Sequence, residues 1–267
     1  MTRSKQVQSR AGKKIKAVLF GSLSTILFLL AWYLLAVTGI LNTGIIPDPI
    51  SVIGRLFTNL FTTDLFMTHI VLTLRRAALG FISAFVGGLA GALLISTVFK
   101  RQLDGILPIF HFLEKLNPLA LFPVFMLFWG IGETSKILII FWVAVWPVTF
   151  HTIDGIRNVD AGLLKSARAM GASGRAAFFK VTLPAALPDI FVGVKLALQI
   201  AFMFIISIEL LSSSAGLGWF LLNARLQYNL PNVYSSVILV GIVGIIIDVL
   251  CNVLWKKLFK WKEEVIK

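Results

Sequence analysis

Long apolar runs constrain this chain more than any other feature. Several stretches of about 20 mostly apolar residues recur along it, and each is long enough to cross the hydrocarbon core of a bilayer. Hydrophobic residues make up 58% of the 267 residues and charged residues only 14%, whereas soluble domains have roughly a quarter charged. The sequence therefore predicts an all-α integral membrane protein that crosses the bilayer several times.

Six stretches have the composition of membrane spans, and we place them at residues 17–38, 71–99, 106–129, 136–152, 189–211 and 234–255. The third contains three prolines and is not expected to be a straight helix. The apolar spacing over residues 46–61 predicts a short amphipathic helix lying on the membrane. The prediction is one transmembrane domain over residues 17–255, flanked by a basic N-terminal segment (1–16) and a basic tail (256–267).

The distribution of positive charge predicts the orientation. Of the 25 lysines and arginines, most fall in the N-terminal segment, the tail and two connecting loops, all on one side of the predicted spans. By the positive-inside rule this side is cytoplasmic and holds both termini. The net charge of +13 is thereby explained without nucleic acid, because the basic residues are divided among several short loops.

One cytoplasmic connection, residues 158–184, is unusually long and basic. Asn158 or Asp160 is suited to cap a helix over residues 161–170, and Gly171 is suited to end it in the left-handed conformation. Ser173 is suited to cap a second helix over residues 174–182, which is expected to end there because Pro184 disfavours a helical Leu183. Two short helices with an apolar face and a basic rim favour docking into a groove on a cytoplasmic partner. The alternative is a connector whose basic residues contact lipid headgroups.

This segment resembles the EAA loop of bacterial ABC importer permeases, whose pattern is E-A-A, three residues, G, about nine residues and I-x-L-P. Gly171 and the Leu183–Pro184 pair match in spacing, whereas Lys165 replaces the acid and Ser166 the first alanine. The resemblance implies a type I ABC importer permease fold with cytoplasmic coupling helices. It also implies contact with the ATPase through Lys165, Ser166, Ala167, Arg168, Met170, Gly171, Leu183 and Pro184.

Three other stretches, "IPDPISVIGRL", "NPLALFPVFMLFWGIGETSKI" and "SSSAGLGWFLLNA", resemble the nitrate, sulfonate and taurine branch of these permeases. The resemblance implies a multi-pass protein of the bacterial inner membrane that moves a small anion or organic solute by alternating access. The implied partners are two ATPase subunits, a second permease copy or homologue, an external solute-binding protein and membrane lipids. A riboflavin- or pyrimidine-type solute is the alternative substrate.

Polar residues inside the spans are the candidates for a solute pathway, because intramembrane charges are costly and usually functional. Glu209 is interpreted either as a pathway or gate residue or as a polar staple to a neighbouring helix. Asp248 is expected to pair with a basic residue or to cap a helix, and Arg75 and Arg76 to lie at the outer interface with their charges in water. The candidate pathway residues are Glu114, Asn117, Pro118, Glu209, Ser212 and Ser213.

No catalytic set is recognisable in the sequence. The phosphate-binding motif G-x-x-x-x-G-K-[ST] is absent, so ATP and Mg²⁺ are expected in the partner ATPase and no cofactor or metal in this chain. The three histidines are far apart, and Cys251 is the single cysteine. Two rival functions remain: a secondary transporter or channel that needs no ATPase, and a membrane enzyme acting on lipids.

Overall fold

The computed structural model describes residues 23–24, 27, 29–38, 45–62, 65–99 and 101–259. Nearly all of this part of the chain is helical. The helices, in chain order, are α1 (29–37), α2 (Pro49–Phe57), α3 (Leu65–Thr97), α4 (Leu103–Glu114), α5 (Pro118–Trp129), α6 (Glu133–Arg157), α7 (Ala161–Ala169), α8 (Gly174–Ala177), α9 (Leu183–Ser212), α10 (Leu217–Leu226) and α11 (Leu230–Leu258), with π-helical turns at Thr58–Thr62 and Phe178–Thr182.

Four continuous helical segments in the described residues are long and apolar enough to cross a membrane: Phe66–Thr97, Glu133–Arg157, Gly174–Ser212 and Leu230–Leu258. They correspond to the second, fourth, fifth and sixth predicted spans. The last three extend beyond the predicted limits at both ends. Residues 17–22, 25, 26 and 28 of the predicted first span lie outside the described residues, and residues 29–37 are helical.

The predicted third span is two helices. The axes of α4 and α5 meet at an angle of 89°, which confirms that this span is not straight. The break falls before Pro118, where Asn117 has an extended backbone (φ −65°, ψ 117°) and its side chain caps α5. Proline disfavours the helical conformation in the residue that precedes it. Pro108 and Pro123 lie inside α4 and α5 without ending either helix.

The predicted amphipathic helix is α2 with the π-helical turn that follows it. Asp48 caps α2 by accepting a hydrogen bond of 2.8 Å from the backbone N–H of Ser51. That hydrogen bond holds the pKa of the Asp48 carboxyl below its usual value, because it stabilises the charged form. Val52 is fully buried, and Asn59 donates to the Asn232 side chain at the start of α11.

The centre of α6 is the most enclosed part of the bundle, between α3 and α9. Small residues allow these helices to approach closely, as is usual between membrane helices. A Cβ on Gly193 would lie 2.6 Å from both the His151 Cβ and the Pro147 carbonyl oxygen. The core cluster shared by α3, α5, α6 and α9 consists of Ala77, Ala84, Phe122, Ile139, Ile140, Ala144, Val148, Ala197, Ala201, Ile205 and Ile208.

Candidate functional site

The connection from α6 to α9 contains the first of the two short helices that the sequence predicts, which is α7. Asp160 caps α7 by accepting a hydrogen bond from the Gly162 backbone N–H. Gly171 ends it with φ +84°, and the N–H groups of Gly171 and Ala172 bond to the carbonyls of Arg168 and Ala167. This is the Schellman arrangement, which requires a left-handed residue at position 171. Gly171 is therefore a conformational requirement of this turn.

The surface of this segment is apolar and basic. Met170 is 82% exposed and Phe179 is 61% exposed, and these side chains accompany four exposed basic residues: Lys165, Arg168, Arg175 and Lys180. Ala167 is buried, whereas Ser166 is exposed. The surface thus mixes large apolar side chains with cations, and the docking of a partner on it stays a prediction.

The second half of the segment differs from the prediction. Ser173 precedes α8 but its side chain makes no capping hydrogen bond, and the helix does not end before Pro184. Instead, the π-helical turn Phe178–Thr182 joins α8 to α9, giving one continuous helix from Gly174 to Ser212. The Leu183 N–H bonds to the Phe178 carbonyl, five residues earlier, as in a π-helix. Pro184 has no N–H to donate, so the helix continues through it with one backbone hydrogen bond fewer.

A cleft of about 760 Å³ separates this segment from the adjoining ends of α3, α4 and α6. On the bundle side, Arg157 at the end of α6 pairs with Asp104 of α4 at 3.0 Å. Arg168 and Phe178 line the side of the cleft that belongs to the segment. The exposed Met170 and Phe179 lie outside this cleft.

At the opposite end of the bundle, Glu209 lies in a buried polar cluster. Its carboxylate is fully buried and accepts hydrogen bonds from Thr73 Oγ1, from Arg76 at 2.7 Å and from the Gly218 backbone N–H. Arg76 also makes a bidentate pair with Glu133, at 2.6 and 2.7 Å. We call Arg76, Glu133 and Glu209 the outer charge cluster. It joins α3, α6 and α9 through side chains far apart in sequence.

The outer charge cluster also fixes the loop between α9 and α10. Arg76 donates to the Ala215 carbonyl, while the Gly216 N–H donates to His69 Nδ1 and the Leu217 N–H to Thr73 Oγ1. Gly216 has φ +122°, and a Cβ there would overlap the Glu209 carboxylate. The loop therefore requires glycine at this position both for its backbone conformation and for space.

The structure divides the candidate pathway residues among three places. Glu209 belongs to the outer charge cluster, and Ser212 and Ser213 line a neighbouring depression of about 450 Å³ with Glu133 and Lys136. Glu114 and Pro118 line a separate cavity of about 220 Å³ beside the break between α4 and α5. Asn117 caps α5 by accepting from the Leu119 N–H at 3.0 Å.

The cavity beside the break, which we call the bend cavity, also has aromatic walls. Trp142, Trp146 and Phe204 line it, with Val143, Pro147 and Ile200. The indole nitrogens of both tryptophans are buried and have no hydrogen-bond partner among the described residues. Glu114 lies 3.6 Å from Lys115 Nζ and from His111 Nδ1, which is too far for a hydrogen bond.

A second intramembrane polar group joins α9 to α11. Asp248 pairs with Lys195 at 2.8 Å, which agrees with the interpretation that it pairs with a basic residue. Gln199 and Asn252 both donate to the Asp248 carboxylate. The sequence signal is the pair of polar residues four positions apart on each helix, 195 with 199 and 248 with 252, which places both members on one face.

Arg76 is the main correction to the sequence-based site. It was expected at the outer interface with its charge in water, but it is 3% exposed and bound by two carboxylates. Arg75 is exposed as expected. His69, Thr73 and Arg76 all form hydrogen bonds in or beside the outer charge cluster. Their spacing places them on one face of α3, and this polar face is the sequence pattern that indicates the cluster.

Comparisons with known proteins identify relatives of the whole bundle. Residues 88–261 match the family model described as the inner membrane component of binding-protein-dependent transport systems. A putative aliphatic sulfonates transport permease protein of Bacillus subtilis is 32% identical over 98% of this chain and 94% of its own length. Its Escherichia coli counterpart is 33% identical over 86% and 87%. A bicarbonate transport system permease protein of Synechococcus elongatus is 29% identical over 88% and 87%.

Solved structures share the fold at low sequence identity. A chain of the MetNI methionine ABC transporter in an inward-facing conformation superposes with a TM-score of 0.61 at 19% identity, over 73% of this chain and 96% of that one. A chain of a bacterial ABC transporter involved in alginate import gives 0.62 at 18%, over 94% and 99%. The helical architecture described above is that of these chains.

Proposed function

The chain belongs to the family of inner membrane components of binding-protein-dependent transport systems, the permeases of ABC importers, and we propose that it imports a small organic or inorganic anion. Two of its relatives are named as putative permeases for aliphatic sulfonates and one as a permease for bicarbonate. Sulfonates are the first choice, because those two relatives are the more similar in sequence. Nitrate and taurine, which the sequence motifs suggest, belong to the same size range.

The observation that supports ATP-driven import is the surface of the segment between α6 and α9. It presents exposed apolar side chains among exposed cations, on the side of the bundle that the charge distribution assigns to the cytoplasm. An exposed apolar patch of this kind is suited to a protein partner. We assign the docking of an ATPase subunit to it, with Lys165, Arg168 and Met170 at the contact and Gly171 fixing the angle between the helices.

The assembly that follows contains two permeases, two ATPases and an external binding protein. Large apolar side chains on α3 and α11 face outward, and they are available to lipid or to a second permease. ATP binding brings the ATPases together, the docked segments move with them, and the pathway changes the side to which it is open. A secondary transporter is disfavoured, because it has no use for a docking face of this kind.

Uptake into proteoliposomes tests the proposal. The permease should be purified with its ATPase and binding protein, and uptake of labelled aliphatic sulfonate measured with ATP or with a non-hydrolysable analogue inside. We expect uptake only with ATP and only with all three components. Uptake by the permease alone, driven by an ion gradient, would instead assign it to the secondary transporters.

A further inference from the structure

The polar group between α9 and α11 is partly exposed although it lies within two membrane spans. The side chains of Lys195 and Asp248 are 28% and 39% exposed. Asp248 lies seven residues from Trp255, or about 10 Å along the helix. Trp255 and the lysines that follow it are typical of a cytoplasmic membrane surface. Charged side chains at this depth almost always face other protein or a water-filled cavity, so the exposed side of the pair requires a polar cover.

A groove of about 360 Å³ lies between the two helices beside this pair, and we call it the α9–α11 groove. Its lining consists of Phe191, Val192, Lys195, Leu196, Gln199, Asn252 and Trp255. Because Trp255 lies at the cytoplasmic surface, the groove leads from that surface into the membrane. None of its lining residues is glycine, alanine or serine, the residues that allow membrane helices to pack closely. Another helix is therefore a poor occupant of this groove.

The side chains of the groove have unused hydrogen-bonding capacity of both kinds. The Lys195 ammonium has three donors, of which it uses two, on Asp248 and on the Asn252 side-chain oxygen, each at 2.8 Å. Gln199 donates to Asp248 at 2.7 Å, and its own side-chain oxygen has no donor among the described residues. Lipid tails satisfy neither group. Water satisfies both, and the groove has room for several water molecules.

The groove lies on the helix that continues from the segment between α6 and α9 without a break. Gln199 lines the groove, and the next residue, Ile200, lines the bend cavity. By helical spacing, the exposed residues Val192, Leu196 and Met203 form the face of α9 between these two cavities. A movement of the segment between α6 and α9 would therefore move this face directly.

We propose that this exposed face of α9 and the α9–α11 groove form a water-filled wall of the solute pathway in the cytoplasmic half of the membrane, where Lys195 attracts the solute anion. Lys195 is among the residues that line the groove, whereas Asp248 is not. The pair with Asp248 limits the strength of the attraction, so an anion is drawn toward the cytoplasm without being retained. The proposal rests on the proposed function and adds Lys195 and Gln199 to its pathway.

Cysteine labelling tests whether the groove contains water. Cys251, the single cysteine of the chain, is replaced by alanine, and Leu196→Cys then places one thiol in the groove. Leu250→Cys is the matched control, because Leu250 lies at a similar depth on α11, is 57% exposed and does not line the groove. Thiols react as thiolates, which form in water. In inside-out vesicles that hold the permease and its ATPase, we expect a water-soluble methanethiosulfonate to label Leu196→Cys at least about tenfold faster than Leu250→Cys.

The same reaction tests whether the groove belongs to the pathway. Labelling of Leu196→Cys should slow when ATP and vanadate hold the ATPases together, because the pathway then opens to the other side. Equal labelling of Leu196→Cys and Leu250→Cys would overturn the proposal, since lipid would then cover the groove. Crosslinking of Leu196→Cys between two permease copies in place of labelling would overturn it too, as would labelling that ATP and vanadate leave unchanged, which indicates a static crevice.

The charge of the reagent tests the role of Lys195. The rates of a sulfonate-bearing and a trimethylammonium-bearing methanethiosulfonate at Leu196→Cys are each divided by the rate with a free thiol in solution. A cation in a cleft with apolar walls concentrates anions, so we expect the anionic reagent to be favoured by about tenfold. Lys195→Gln should remove or invert this preference, whereas Arg101→Gln, which changes an exposed cation outside the groove, should retain it. An unchanged preference in Lys195→Gln would overturn the assignment.

The labelling reactions need no transported solute, so their failure is distinguishable from failure of the proposed function. An unlabelled groove in a permease that still imports sulfonate with ATP would overturn the groove alone. A labelled groove in a permease that imports no sulfonate with ATP would overturn the proposed function.

Discussion

The two ends of this bundle place their charges in opposite environments. In the outer charge cluster, Arg76 and Glu209 are almost completely withdrawn from solvent and every charged group has a hydrogen-bonded partner. In the segment between α6 and α9, Lys165, Arg168, Arg175 and Lys180 are all exposed. A buried pair is strongly destabilised when one partner is removed, whereas exposed charges contribute little to stability. The outer end is thus built to stay in one arrangement, and the inner end to meet another protein.

Replacing Arg76 by Met should give the largest effect on stability. The change keeps the length of the side chain but leaves the Glu209 carboxylate buried without its cation, at a cost of about 3–5 kcal/mol. Thermal unfolding of the purified permease in detergent measures the loss. The exposed neighbour provides the control, since Arg75→Met should leave the midpoint nearly unchanged. Equal midpoints for the two variants would show that the cluster does not stabilise the fold.

Glu209→Gln tests the same cluster more gently. Glutamine retains the size of the side chain and one acceptor for Thr73 or Gly218, but it loses the charge that faces Arg76. The expected cost is about 1.5–3 kcal/mol, because Arg76 keeps its bidentate pair with Glu133.

Uptake measured beside the thermal midpoint separates the two interpretations of Glu209. A staple predicts that uptake falls only as far as stability does. Lost uptake with a normal midpoint would assign Glu209 to the pathway or its gate, and would mean that the buried cluster also senses transport.

Gly171→Val should leave the bundle intact and damage the docking segment. A non-glycine residue in the left-handed conformation costs about 1–2 kcal/mol, and a β-branched one resists it further. We expect normal membrane insertion and a normal thermal midpoint for the bundle, but weak copurification of the ATPase and little stimulation of its hydrolysis by solute. Gly91→Val is a control within a span, because a Cβ there meets no atom within 4 Å. Normal coupling in Gly171→Val would contradict the docking assignment.

Lys165→Glu should have the smallest effect of these changes. The side chain is exposed, and an exposed ion pair contributes under about 1 kcal/mol. The complex with the ATPase should form with a slightly altered salt dependence, measured by copurification at low and high ionic strength. Complete loss of the complex would reveal a specific acidic partner for Lys165 and would make the inner end less adaptable than its exposure indicates.

The same contrast explains what the sequence predicts well. Asp160 and Gly171 act on backbone groups within a few residues, so their roles at the ends of α7 follow from local rules. The break before Pro118 is local too, although three prolines were candidates and only the one preceded by an extended, capping Asn117 interrupts the helix. The lengths of the apolar runs locate the spans for the same reason, because each span is one local stretch of the chain.

Contacts between side chains on different helices cannot be predicted from such local rules. Arg76 and Glu209 are 133 positions apart, and no local pattern indicates which intramembrane charges meet. The sequence does not predict that α8 continues into α9. The rule that proline ends a helix assumes α-helical bonding, whereas a π-helical turn satisfies the backbone differently at Pro184. The bend cavity needs α4, α5, α6 and α9 together, so the sequence indicates only Glu114, Asn117 and Pro118 in this region.

The continuous helix from Gly174 to Ser212 has a mechanical consequence. At 1.5 Å per residue it is a rod roughly 58 Å long, which begins in the exposed docking segment and ends three residues beyond Glu209. It packs tightly against α6 at Gly193, near its midpoint. Because the outer charge cluster ties the far end of this rod to α3 and α6, these helices would tilt with it, and a rotation of roughly 5° about the midpoint would displace the two ends by about 2.5 Å in opposite directions. Closing the inner ends of two such rods would therefore spread their outer ends, without any change of length or local unfolding.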